Sequence, residues 1–158
     1  FGPEDEALYH AFYARHRFAR TRRKGGWDAT RHAEILAAGS VPIFEGLSEA
    51  PPYAVPFLPR AEILAAAQEL LPYDRSKEAA YNATVRALLA HTRCCLTTEA
   101  MAKRVLQGLG LWPPQRPLKL LYVTCGWGWR SMDDGWQGPV SIALFVGLQL
   151  LLQKLQPG

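Results

Sequence analysis

Apolar positions recur at helical spacing in several stretches and alternate or run together in a few short ones. Residues 4–14 open with acids and carry Leu8 and Phe12 four apart, which predicts a short helix. A polar, basic stretch with Phe18 inside it follows and reads as an extended piece or irregular strand. Gly25 and Gly26 break the chain, residues 28–38 are good helix formers, and Gly39 stands where a glycine ends a helix. Val41, Ile43 and Phe44 make a short β-type run, and Pro42 inside it predicts a strand start or an edge. Residues 46–59 hold four prolines and predict loop, with at most a short strand at 55–58.

Three helical stretches come next, at 60–71, 74–91 and 97–109. In the second, Ala80, Thr84, Ala87, Leu88 and His91 recur at intervals of three or four and predict the core-facing stripe. Thr97 and Thr98 suit the N-cap of the third. The run Trp112-Pro113-Pro114 is a break, residues 119–124 predict a buried strand, a tryptophan-rich loop follows, and a helix begins near Pro139. Strand and helix signals alternate at both ends around a helical middle. The class expected is α/β, with a small and mostly parallel sheet flanked by helices. Its domains divide as residues 1–110 and 111–158.

The chain has 158 residues, enough to bury a real core. Its formal net charge is +4, and the excess is local: Arg15, Arg17, Arg20, Arg22, Arg23 and Lys24 lie within ten positions without an acid. Such a segment favours an anionic partner, whether nucleic acid, phospholipid headgroups or a phosphorylated ligand. No recognition motif accompanies it, so nucleic acid is not the expected partner. The uncharged apolar stretch 140–152 is too short to span a bilayer and predicts a buried helix. No signal peptide is visible, and the first residue is not methionine, which fits a fragment or processed form. Localisation stays open between cytoplasm and a Golgi-type lumen. Cys94, Cys95 and Cys125 lack metal-ligand spacing, and pairing of the adjacent two is disfavoured, so all three read as ordinary thiols.

The segment Lys24-Gly25-Gly26-Trp27-Asp28 has a physical use ahead of a helix. Glycines let the backbone approach a ligand, and the helix start presents free N–H groups and a positive dipole end, which suit phosphate. Lys24 and Arg31 add charge-assisted bonds. Two readings stand for each residue. The glycines form a phosphate turn or an ordinary turn, and Asp28 is a site residue or an N-cap. Glu34 accepts ribose hydroxyls or faces solvent, and His32 is a general base or a structural histidine. The tryptophans of residues 126–136 stack on sugars or form a satellite core, and Asp133-Asp134 binds a cation or is plain loop.

Residues 24–44, Lys-Gly-Gly-Trp-Asp-Ala-Thr-Arg-His-Ala-Glu-Ile-Leu-Ala-Ala-Gly-Ser-Val-Pro-Ile-Phe, resemble the nucleotide-sugar motif in the C-terminal half of GT-B glycosyltransferases, exostosin-like ones in particular. The resemblance covers about 26 residues, counting the basic residues before it, and includes the Gly-x-x-Pro turn into a strand. It implies a Rossmann-like donor half-domain without a metal or other cofactor, whose donor substrate is a nucleotide-diphosphate sugar. Lys24 and Arg31 would meet the diphosphate and Glu34 the ribose. The backbone at Gly25, Gly26, Asp28 and Gly39 would line the donor, and His32 would be catalytic. The acceptor would be a glycan or protein, brought by a missing N-terminal domain or a partner chain. The alternative is a non-catalytic subunit that uses the basic arm and the tryptophan loop as contact surfaces.

Overall fold

The computed structural model describes residues 3–24, 26–114 and 139–155. Helix α1 (Pro3–Ala14) leads into strand β1 (Phe18–Arg22), helix α2 (Thr30–Ala37) and strand β2 (Val41–Glu45). A 3-10 turn (Leu47–Glu49) and helix α3 (Arg60–Leu70) follow, then a second 3-10 turn (Arg75–Lys77) and helix α4 (Glu78–Cys95). Helices α5 (Thr98–Gly108) and α6 (Pro139–Leu155) close the described chain. The architecture is mixed α/β, and the two strands pair in parallel, Phe18 opposite Val41 and Arg22 opposite Glu45. Parallel neighbours need a crossover connection, and α2 supplies it.

The chain divides into two compact units, Phe1–Leu96 and Thr97–Gly158. The boundary between the two units precedes α5. The reason is packing: Ala102 and Leu106 of α5 share a core with Leu148 and Leu151 of α6. Thr97 is the N-cap of α5 as expected, its Oγ1 accepting from the Ala100 N–H at 3.2 Å. No helix among the described residues is long and apolar enough to cross a membrane.

In the first unit, Leu36, Val41, Phe44, Leu47, Ile63, Leu70 and Leu88 form the main core. Tyrosines set the packed faces of two helices, and on α4 the face differs from the expected stripe. On α1 the packed residues are Tyr9 and Tyr13, while Leu8 and Phe12 are exposed. On α4 the inward residues are Tyr81, Val85, Leu88 and Thr92, and Ala80 and Ala87 face solvent. Both faces have one cause, tyrosines whose rings pack inward while their hydroxyls find polar partners. The Tyr81 hydroxyl donates towards the Arg17 carbonyl at 3.2 Å, and Tyr9 donates to Glu34 at 2.9 Å. The Arg17 guanidinium lies 4.9 Å from the Tyr73 ring centre and 5.0 Å from that of Tyr81, and donates to Glu78 at 3.0 Å.

Residues 55–58 form turns and no strand. The expected strand at 119–124, the tryptophan loop, Asp133-Asp134 and Cys125 lie outside the described residues. Cys94 and Cys95 are joined as a disulfide, against the reading of free thiols. They are the last two residues of α4.

Gly147 sits where α6 meets the start of α5: a Cβ there would lie 2.0 Å from the Thr98 carbonyl oxygen. Backbone cannot yield cheaply, so Gly147→Ala is expected to destabilise the α5–α6 pair by about 1–3 kcal/mol. At Gly108, in the last turn of α5, a Cβ meets nothing within 4 Å. Gly108→Ala should therefore stabilise by up to about 1 kcal/mol through lower unfolded-state entropy. Chemical denaturation of the two variants checks the opposite signs.

Candidate anion-binding site

The segment that the sequence offers as a basic arm is strand β1. Alternation along it points Ala19 and Thr21 into the protein and leaves Arg20 and Arg22 exposed. In the parallel register Arg22 lies beside Glu45 and Arg20 beside Ile43, so both arginines share a face with the end of β2. An open cleft of about 460 Å³ forms there, lined by Arg20, Thr21, Arg22, Lys24, Arg31 and Glu45. It lies at the carboxyl ends of both strands and at the first turn of α2, the place where open α/β sheets receive ligands.

Four cations face one carboxylate in this cleft. Arg20 is ion-paired with Glu45. Among the described residues, no acid pairs with Arg22, Lys24 or Arg31. Arg23, the remaining arginine of the strand end, lies 5.4 Å from the Trp27 ring centre and stacks on it. Ala29 occupies the N-cap position of α2 and supplies no side-chain acceptor, so Asp28 does not cap the helix. The His32 N–H turns back to the Ala29 carbonyl at 3.0 Å, and the N–H groups of Thr30 and Arg31 at the helix start receive no side-chain cap. The positive potential, the dipole end and the free donors all favour an anion with several oxygens.

Behind the cleft, His32 is 3% exposed and bridges three pieces of chain. Its Nε2 lies 3.0 Å from the Trp27 carbonyl, which can only accept, so the proton sits on Nε2. Nδ1 then accepts from the Thr21 hydroxyl at 3.1 Å. The ring lies 4.3 Å from that of Phe44. With both nitrogens engaged inside the fold, His32 holds the loop of residues 23–29 against β1. Burial pushes its pKa down, with Arg31 adding to the effect and the Trp27 carbonyl and Asp28 opposing it.

The structure thus brings Lys24 and Arg31 together and adds Arg20, Arg22 and Glu45, which the motif reading did not single out. The alternation Phe18-x-Arg20-x-Arg22 was the signal for the two arginines. Glu34, three residues along α2 from Arg31, accepts from Tyr9 of α1 and is not among the residues that line the cleft. Burial, followed by Tyr13 and then the Glu34 carboxylate, raises the Tyr9 phenol far above its usual range. Gly26 and Asp28 are exposed in the loop beside α2, and Gly25 lies outside the described residues. Gly39 has φ of 79° and makes the turn from α2 to β2, which few other residues adopt without strain.

A histidine kept neutral by burial links stability to pH. The unfolded chain binds a proton near the usual 6.5 while the folded chain resists it, so stability is full above that pH and falls below it. Between about pH 6.5 and the lowered folded value, the loss is at most about 1.4 kcal/mol per pH unit. Urea midpoints measured from about pH 7.5 to about pH 5.5 should show this slope in the native protein and a shallower one in His32→Gln. Equal slopes would remove His32 as its source.

Comparison with protein-family models, with curated proteins and with solved structures found no match to this chain, so its site is read from its own residues.

Proposed function

We propose that the first unit is the donor-binding part of a glycosyltransferase of Rossmann-like type, and that it binds the diphosphate of a nucleotide sugar in the Arg22–Lys24–Arg31 cleft. The observation that carries this reading is the cleft itself, which sets unpaired cations and an uncapped helix start at the carboxyl ends of a parallel strand pair. Two linked phosphates suit it better than a single charge, because three cations on two elements can hold separate oxygens. Nucleic acid fits less well: Arg20 is neutralised by Glu45 and Arg23 is stacked on Trp27, which shortens the basic stripe that a phosphate backbone would follow.

In such an enzyme the sugar leaves a diphosphate on which negative charge grows. Fixed cations and backbone N–H groups that meet that charge lower the barrier electrostatically, with no metal required of these residues. The assignment of ribose to Glu34 is supported by the sequence resemblance. Its carboxylate is half-buried and held by Tyr9. His32 acts here as the brace of the cleft. Transfer to a glycan or protein acceptor would draw on a further domain or a partner chain.

Calorimetric titration with UDP, GDP and inorganic pyrophosphate tests the reading. Arg31→Ala and Arg22→Ala should each weaken nucleoside diphosphate and pyrophosphate alike by about tenfold or more, the worth of a charge-assisted hydrogen bond. Glu34→Ala should weaken the nucleoside diphosphates and spare pyrophosphate. Binding that is indifferent to Arg22 and Arg31 would end the donor-site proposal. Loss of both ligand types in Glu34→Ala would refute the ribose role alone.

A further inference from the structure

The last turns of α4 carry a second group of reactive side chains, within the first unit and built from none of the cleft residues. Cys94 and Cys95 lie three and four residues after His91, so both neighbour it on one side of the helix. One donor atom from each lies within 4.8 Å of the others. Cys94 is exposed, and His91 and Cys95 are half-buried, so the group is open to solvent on one side. The His91 ring is already aimed: Nε2 lies 2.7 Å from the Phe57 carbonyl, which requires the proton on Nε2. Nδ1 is left with a free lone pair. A histidine whose other nitrogen donates to a carbonyl in this way is the usual form of a metal-binding imidazole.

We propose that the reduced form of this group binds one thiophilic divalent ion, Zn²⁺ by preference, through His91 Nδ1 and the thiolates of Cys94 and Cys95. Donors about 2.0–2.3 Å from a tetrahedral ion stand less than about 4 Å apart, so modest side-chain rotations close the present arrangement onto it. One nitrogen and two sulfurs favour Zn²⁺ over Mg²⁺ or Ca²⁺, which take oxygen ligands. Three protein ligands leave a fourth position for water or another ligand.

The Cys94–Cys95 disulfide is the oxidised form of the same pair of sulfurs. A phosphine reductant breaks the sulfur–sulfur bond, supplies the two electrons and becomes its oxide with oxygen from water, while each sulfur gains a proton. Ion binding then releases those two thiol protons, and the neutral imidazole releases none. Because His91 is bonded to Phe57, an ion here would also fasten the proline-rich segment 51–59 to α4.

The test is Zn²⁺ competition against a chromogenic chelator, on the full chain with and without phosphine treatment. One ion per chain is expected in the reduced protein and none in the oxidised protein, a comparison that needs no variant. Cys94→Ser, at an exposed position, and His91→Ala should each weaken the ion by about tenfold or more. Cys125→Ser should leave it unchanged. Failure of the reduced protein to compete, equal binding by the oxidised protein, or loss of the ion in Cys125→Ser would each overturn the proposal.

Discussion

A single buried imidazole sets the geometry of the anion cleft. His32 accepts a hydrogen bond from Thr21 of β1 and donates one to the Trp27 carbonyl in the loop before α2. A charged ring would keep the bond to the Trp27 carbonyl but lose the one from Thr21, because the imidazolium has no acceptor nitrogen for the Thr21 hydroxyl. Burial keeps the ring neutral, and the neutral ring holds strand, loop and helix together. The cations of the cleft stand on those three pieces: Arg20 and Arg22 on the strand, Lys24 on the loop and Arg31 on the helix.

The first unit resolves its polar groups by hydrogen bonds that cross between elements. Ser40, at the start of β2, is 2% exposed, and its hydroxyl lies 2.6 Å from the Tyr13 carbonyl at the end of α1. Tyr81 reaches from α4 to the backbone before β1, and Arg17 is clasped by two tyrosine rings and Glu78. Such bonds favour one arrangement of helices around a very small sheet, most of all the buried one of Ser40, whose partners would otherwise be left unpaired. The exposed cations of the cleft differ in kind. They add little to folding and leave Arg22, Lys24 and Arg31 for a ligand.

The two candidate sites differ in what the chain already supplies. In the cleft, the cations are permanently charged and need only an anion. At the end of α4, the donors become ligands only after the disulfide is reduced, so occupancy there follows the redox state of the surroundings. An ion at His91 would act on the Phe57 segment and on α4.

From the sequence alone, several elements could be read because their causes are local. Helical periodicity, the glycine at 39, the Thr97 cap and the short run at 41–45 each depend on a few neighbouring residues. The basic cluster and the turn before α2 were equally visible, since charge and glycine need no partner to be recognised. Which face of α1 or α4 turns inward was decided in three dimensions, by tyrosine hydroxyls reaching carbonyls and a carboxylate far away in the chain. The same holds for Arg20 and Arg22, because only strand pairing sets them beside Glu45. It holds for Glu34 too, which a motif can mark but only packing could turn towards Tyr9. The His-x-x-Cys-Cys spacing was present in the sequence, yet the Phe57 carbonyl that orients the histidine comes from a loop 34 positions away. Local order follows from local chemistry, while the grouping of side chains into sites depends on contacts that no window of sequence contains.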